Sequence, residues 1–284
     1  MNKLSTLLNI LKGVAIGMAN IIPGVSGGTI AVITGIYDDL VNAFGNFFSG
    51  PGGWRKNTLL LIPVLIGVLI GNVAFARLIG YLLQTAPVAT RYGFMGLILG
   101  GLPYILKHSA LKAFKLHYLA LALLGLVIVI GMGLMPEPEK SLPITELTLQ
   151  SAALLFGAAF LASIAMVIPG ISGSFLLLLM GMYSTMQNAF STLNAPIMFL
   201  FVFGTILGVV CVSKTISALL RRFHSATYSV ITGLVTGSAL ILFPGFSSGK
   251  HLLIDAFAFA LGFCLSLFLG TNTKEHILLK RKNE

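Results

Sequence analysis

Eight long apolar stretches separated by short polar connections dominate the chain, over 10–36, 59–83, 88–106, 116–135, 151–183, 197–220, 226–244 and 252–271. A helix rises ~1.5 Å per residue, so about 20 residues span a hydrocarbon core. Six of these stretches predict one helical crossing each. The first and fifth fit a single crossing less well, because Pro, Gly and Ser interrupt them.

The two interruptions are nearly the same sequence. Ile22-Pro23-Gly24-Val25-Ser26-Gly27-Gly28 recurs as Ile168-Pro169-Gly170-Ile171-Ser172-Gly173-Ser174, and at the same offset Gly35 matches Gly181 and Tyr37 matches Tyr183. After one change of offset, Gly67 and Gly71 match Gly204 and Gly208. Arg77 then matches Lys214, Thr90 matches Thr227, and Gly96 and Gly100 match Gly233 and Gly237. An ordered set spread over both halves indicates an internal duplication. The expected division is a first repeat over 1–135, an external connection over 136–149 and a second repeat over 150–284.

The placement of charge predicts the topology. With the N-terminus inside and the two interrupted stretches re-entrant, the connections holding Arg55 and Lys56, Lys107, Lys112 and Lys115, and Arg221 and Arg222 all fall inside. The tail with Lys274, Lys280, Arg281 and Lys282 falls inside too. The acidic connection with Glu137, Glu139 and Glu146 falls outside, and Lys140 and Lys250 are the clear exceptions. Eight full crossings would expose at least one strongly basic connection on the outside. The positive-inside rule therefore favours six crossings and two re-entrant segments, with both termini cytoplasmic. Three crossings per half is an odd number, so the second half enters upside down. The expected fold is an all-α integral membrane protein of two inverted repeats, each one re-entrant broken helix plus three transmembrane helices.

Composition agrees with this class. Of 284 residues, 56% are hydrophobic and 9% charged, against roughly 25% charged in a soluble domain. Mean hydropathy is +0.97. The net charge of +10 sits mainly in the short connections, so it reads as topology determination facing anionic lipid rather than nucleic-acid binding. Cys211 and Cys264 lie in apolar runs and suggest neither a disulfide nor a metal site. The first twelve residues lack the pattern of a cleavable signal. No P-loop, nucleotide fingerprint or catalytic-triad spacing is visible, so neither an enzyme nor a cofactor is expected.

The broken stretches carry the candidate chemistry. Pro removes an N–H and ends a helix. Gly permits positive φ and leaves backbone groups uncovered. Ser is a good N-cap. Helix N-termini attract anions, and irregular backbone at membrane depth is tolerated where protein shields it or a polar cavity receives it. Such breaks also serve close helix packing, but their duplication favours a site. The expected anion site comprises Pro23, Gly24, Ser26, Gly27 and Gly28 with Pro169, Gly170, Ser172, Gly173 and Ser174. Arg77, its match Lys214, and Arg91 are candidate intramembrane counter-ions, although Arg77 and Arg91 also lie where they could snorkel to the headgroups. Asp38 and Asp39 are weaker candidates, because the second copy has Ser184 after Tyr183. Asn20, Asn72, Gln84 and Asn188 are polar groups in or near spans, and Trp54 reads as an interfacial anchor.

The segment Ala19-Asn20-Ile21-Ile22-Pro23-Gly24-Val25-Ser26-Gly27-Gly28-Thr29-Ile30-Ala31 resembles the signature of the PopT family of polyprenyl-phosphate transporters. Val167 to Ser174 resembles its second copy. The resemblance covers nearly the whole chain and departs at Ser174, which stands where the first copy has Gly28. It implies return of undecaprenyl phosphate from the outer to the cytoplasmic leaflet. Alternating access by the two repeats is the mechanism expected from the residues themselves. The headgroup would cross between the Ser26 and Ser172 helix ends, with Arg77 or Lys214 as counter-ion, while the isoprenoid tail stays in lipid. Proton coupling, sodium coupling and passive equilibration remain open as driving forces. The alternative reading is a carrier of small soluble anions.

Overall fold

The computed structural model describes residues 3–22, 24–49, 53–109, 115–136, 142–246 and 250–282. For residues 3, 250 and 271–282 the description covers the backbone alone. Pro23, Lys112, Glu137, Glu139 and Lys140 lie outside the described residues. Among those described there are twelve helices and no strand.

The first six are α1 (Lys3–Asn20), α2 (Gly27–Ile33), α3 (Tyr37–Gly45), α4 (Gly53–Thr85), α5 (Pro87–His108) and α6 (Leu116–Gly133). The second six are α7 (Leu149–Val167), α8 (Gly173–Leu179), α9 (Tyr183–Ser191), α10 (Ala195–Arg222), α11 (His224–Ile241) and α12 (Lys250–Lys282). The short helices recur in the same order: α2 and α8 have 7 residues each, α3 and α9 have 9. Local sequence explains several boundaries. Ser26 caps α2, Thr148 and Ser151 form a capping box on α7, and Asn194 caps α10. Pro87 stands in the first turn of α5, where its missing N–H costs nothing. Gly35 and Gly181 take positive φ, 66° and 70°, at the turns into α3 and α9.

Among the described residues, five helices are long and apolar enough to cross a membrane: α4, α6, α7, α10 and the 251–270 part of α12. α5 and α11, expected as crossings, are not among them. Their Gly, Ser and Thr content lowers their hydropathy, and the reason is positional. α11 buries ten residues, including Tyr228, Ser229, Thr232 and Ser238, and a helix facing protein need not be apolar all round. α7 was expected as one arm of a re-entrant segment; at 19 residues it is long enough to cross by itself.

Four tightly packed helix pairs build the body: α1 with α4, α7 with α10, α5 with α12, and α6 with α11. Lipid tails are as apolar as leucine, so such pairs depend on close van der Waals approach through small residues. The repeated glycines lie at these contacts. A Cβ on Gly67 would collide with the carbonyl oxygen of Ile10, and one on Gly233 with that of Ala122. Gly204 and Gly208 meet α7, and Gly96 and Gly100 meet α12, in the same way. The contacts advance in the same direction along both members of each pair, so the paired helices run parallel. The largest buried cluster takes in Ile30, Val32 and Ile33 of α2 together with residues of α1, α3, α5, α10 and α11, and α2 itself packs chiefly on α1 and α5.

Gly233→Leu is expected to lower stability by about 1–3 kcal/mol through overpacking. Gly131→Ala, where an added Cβ meets nothing within 4 Å, is expected to leave it unchanged. Thermal unfolding in detergent, followed by loss of the monodisperse peak, measures both.

Candidate functional site

The two breaks meet. Gly24 and Gly170 both adopt left-handed backbone, φ 85° and 88°. Gly170 is further constrained, because an added Cβ would lie 2.5 Å from the backbone of Leu234 in α11. The Gly170 N–H donates to the Thr29 hydroxyl at 2.9 Å, from one break to the first turn of the other half's short helix. Gly28 lies against the same second break: its Cβ would be 3.1 Å from the Val167 carbonyl oxygen and 3.4 Å from the Pro169 Cα.

The two serines differ. Ser26 is buried and its hydroxyl accepts from the Gly28 N–H at 3.2 Å, as an N-cap should. Ser172 occupies the N-cap position of α8 but makes no side-chain cap bond; its hydroxyl pairs with that of Ser174 at 2.9 Å. This follows from one departure between the copies. Ser174 supplies a hydroxyl where Gly28 supplies none, and Gly28 leaves room for the opposite break instead.

A cavity of about 540 Å³ opens beside the breaks. Gly24, Gly170, Ser172 and Ser174 line it, and so does Arg91, an exposed residue in the second turn of α5. Its other walls are mostly apolar, among them Leu83, Met132, Phe175 and Leu242. An arginine with two hydroxyls in an apolar hollow suits a phosphate monoester, since the guanidinium offers a planar fork of donors.

The expected residues therefore separate. Arg91, Gly24, Gly170, Ser172 and Ser174 line the cavity. Ser26, Gly27, Gly28, Pro169 and Gly173 shape the breaks behind it and are not among its lining residues. Arg77 and Lys214 are exposed on α4 and α10 and are not among them either.

Three residues have placements that the sequence did not reveal. Thr29 ties the breaks together, but its match in the second copy is Phe175, so comparison of the repeats passes over it. Asp38, discounted because its match is Ser184, accepts a hydrogen bond from the Tyr228 hydroxyl at 2.8 Å. Asp255 lies within α12, 4% exposed, with Oδ2 lacking a hydrogen-bond partner. An acid at the fourth position of the apolar stretch 252–271 is the signal that would have found it.

Thr29→Val is expected to destabilise the fold by about 1–3 kcal/mol, because it leaves a buried N–H unpaired at nearly constant volume. Thr29→Ser, which keeps the acceptor, is expected to recover most of that in the same thermal-unfolding measurement.

The profile of a family described as undecaprenyl phosphate translocase-like matches residues 16–256. A polyprenyl-phosphate transporter of Staphylococcus aureus is 37% identical over 279 residues, which are 95% of this chain and 98% of that protein. A polyprenyl-phosphate transporter of Vibrio cholerae is 36% identical over 255 residues, 86% of this chain and 79% of that protein. No solved structure matches.

Proposed function

The chain belongs to the undecaprenyl phosphate translocase-like family, and from that membership we propose that it carries polyprenyl phosphate between the leaflets of the cell membrane. It is a multi-pass membrane protein, and its relatives of similar length are transporters of this lipid class. The observation that carries the reading to a site is the cavity where Arg91, Ser172 and Ser174 converge among apolar walls. The cation and hydroxyls take the headgroup, and the apolar walls suit the start of an isoprenoid tail.

The transport cycle we propose is alternating access by inverted repeats, α1–α6 and α7–α12. Helix directions support it. With α4, α5 and α6 alternating, parallel packing of α6 on α11 and of α5 on α12 gives α10–α12 the opposite sense to α4–α6. Parallel packing of α1 on α4 also requires the chain to turn back between them, as a re-entrant segment would. With both termini cytoplasmic, as the basic connections favour, the cavity at the C-terminal ends of α4, α6 and α11 faces the outer leaflet. Arg91 takes the counter-ion role in place of Arg77 and Lys214. The last two are placed to snorkel toward lipid headgroups.

Leaflet-resolved transport of undecaprenyl phosphate in proteoliposomes tests this. Arg91→Ala is expected to slow transport about tenfold or more, the loss of a charge-assisted contact of about 1.5–3 kcal/mol. Arg77→Ala/Lys214→Ala is expected to stay within about threefold of wild type, as surface charges away from the cavity generally do. Transport of inorganic phosphate without lipid transport by the folded protein would replace this reading with that of a soluble-anion carrier.

A further inference from the structure

The two short-helix arms are built alike but packed differently, and the difference is chemical. α2 is buried over nearly its whole length, whereas α8 buries only Leu177. α3 packs firmly onto α10; α9 has no comparable contact with α4. On the α3 side, polar bonds cross between the halves. The Tyr228 hydroxyl donates to Asp38 at 2.8 Å. The Ser217 hydroxyl donates to Asn42 and accepts from the Asn46 side-chain amide at 3.2 Å. His108 and His224 pack their rings on Tyr228, with centroids at 5.2 and 4.7 Å. Gly45 closes the contact: an added Cβ would lie 2.6 Å from the Lys214 backbone nitrogen.

We infer that α3 is a clasp holding one mouth of the site shut, and that α9 lacks the groups to hold the other, so the protein rests with the site open on the α9 side. The inference builds on the inverted-repeat reading above, because the repeat supplies the comparison. Carried across the repeat, Asp38 becomes Ser184 and its partner Tyr228 becomes Arg91. Asn42 is kept as Asn188, but its partner Ser217 becomes Gly80, where an added Cβ meets nothing within 4 Å. Gly45 becomes Ser191, which carries a side chain where the clasp brings backbone against backbone. Ser184, Asn188 and Ser191 line an open hollow on α9. Docking α9 onto α4 would reproduce neither the carboxylate–phenol bond nor the serine–asparagine bonds.

The clasp is also tempered. The Tyr37 hydroxyl and the Ser213 hydroxyl are buried on the closed side without hydrogen-bond partners. Opening would hydrate both, which offsets part of the bonds lost and keeps the gate reversible. Arg91 gains a second role. It lines the open cavity, and by its match to Tyr228 it would face α9 when that side closes, so the residue that binds the headgroup also sits at the gate.

Disulfide trapping in membrane vesicles tests the asymmetry, in a Cys211→Ala/Cys264→Ala background without added lipid substrate. Asn42→Cys/Ser217→Cys is expected to cross-link readily, and the mirror pair Asn188→Cys/Gly80→Cys about tenfold less, the bias one hydrogen bond to a charged group provides. Adding Tyr228→Phe to the mirror pair is expected to raise its yield several-fold by releasing the clasp. Equal yields from the two pairs, or a mirror yield indifferent to Tyr228→Phe, would overturn the inference. The cross-linked Asn42→Cys/Ser217→Cys protein is expected to stop transporting and to recover on reduction. Should wild-type liposomes move no polyprenyl phosphate while the cross-linking ratio holds, the transport reading falls and the clasp stands.

Discussion

A peptide group stripped of its helix partner has no water to turn to inside a bilayer, and two breaks in this chain create such groups among its packed helices. Local turns satisfy some of them, as where the Val25 N–H reaches the Ile22 carbonyl at 3.1 Å and the Ile171 N–H reaches Ile168 at 3.4 Å. The Gly170 N–H is satisfied from the other break, by Thr29. Each break therefore needs the other nearby, and the rest of the architecture follows from holding them together. α11 must pass against Gly170, Gly28 must lack a side chain, and the short helices must start where they do.

The same constraint explains the character of the surrounding helices. Hydrophobicity cannot drive helices together in a solvent that is itself apolar, so the body depends on glycine-lined contacts in four parallel pairs. α5 and α11, in contact with each other and each with a second long partner, surround the breaks and carry hydroxyls and small residues instead of a lipid-facing apolar coat. They are the helices that hydropathy under-reads, and also those that bring Arg91 and Tyr228 to their places. Polarity there marks proximity to the site.

Much of this was legible in the residues because it is periodic or duplicated. The paired Pro-Gly-x-Ser-Gly breaks, the glycine matches and the six-helix halves all leave repeated signals. What stayed hidden is where the copies differ. Thr29 against Phe175, Asp38 against Ser184 and Ser174 against Gly28 carry the bond between the breaks, the clasp and the cavity hydroxyl, and a search for symmetry discounts each of them. The charge signal offered three candidate cations, Arg77, Lys214 and Arg91, and all three are exposed, as long basic side chains reaching toward the interface would be. Of the three, Arg91 is the one among the residues lining the cavity.

A bilayer-embedded phosphate carrier must lower the cost of moving a charged headgroup while leaving its tail in lipid. On the proposed reading, one arginine with hydroxyls from a broken helix, in an apolar hollow beside a tempered gate, would meet that demand with few parts. The most direct measurement is the structure of the protein in lipid nanodiscs with undecaprenyl phosphate bound. The account predicts the phosphate within hydrogen-bonding reach of Arg91 and the Ser172–Ser174 pair, with the tail leaving along the cavity's apolar wall. A phosphate held instead on the exposed faces of α4 or α10, beside Arg77 or Lys214, would contradict it.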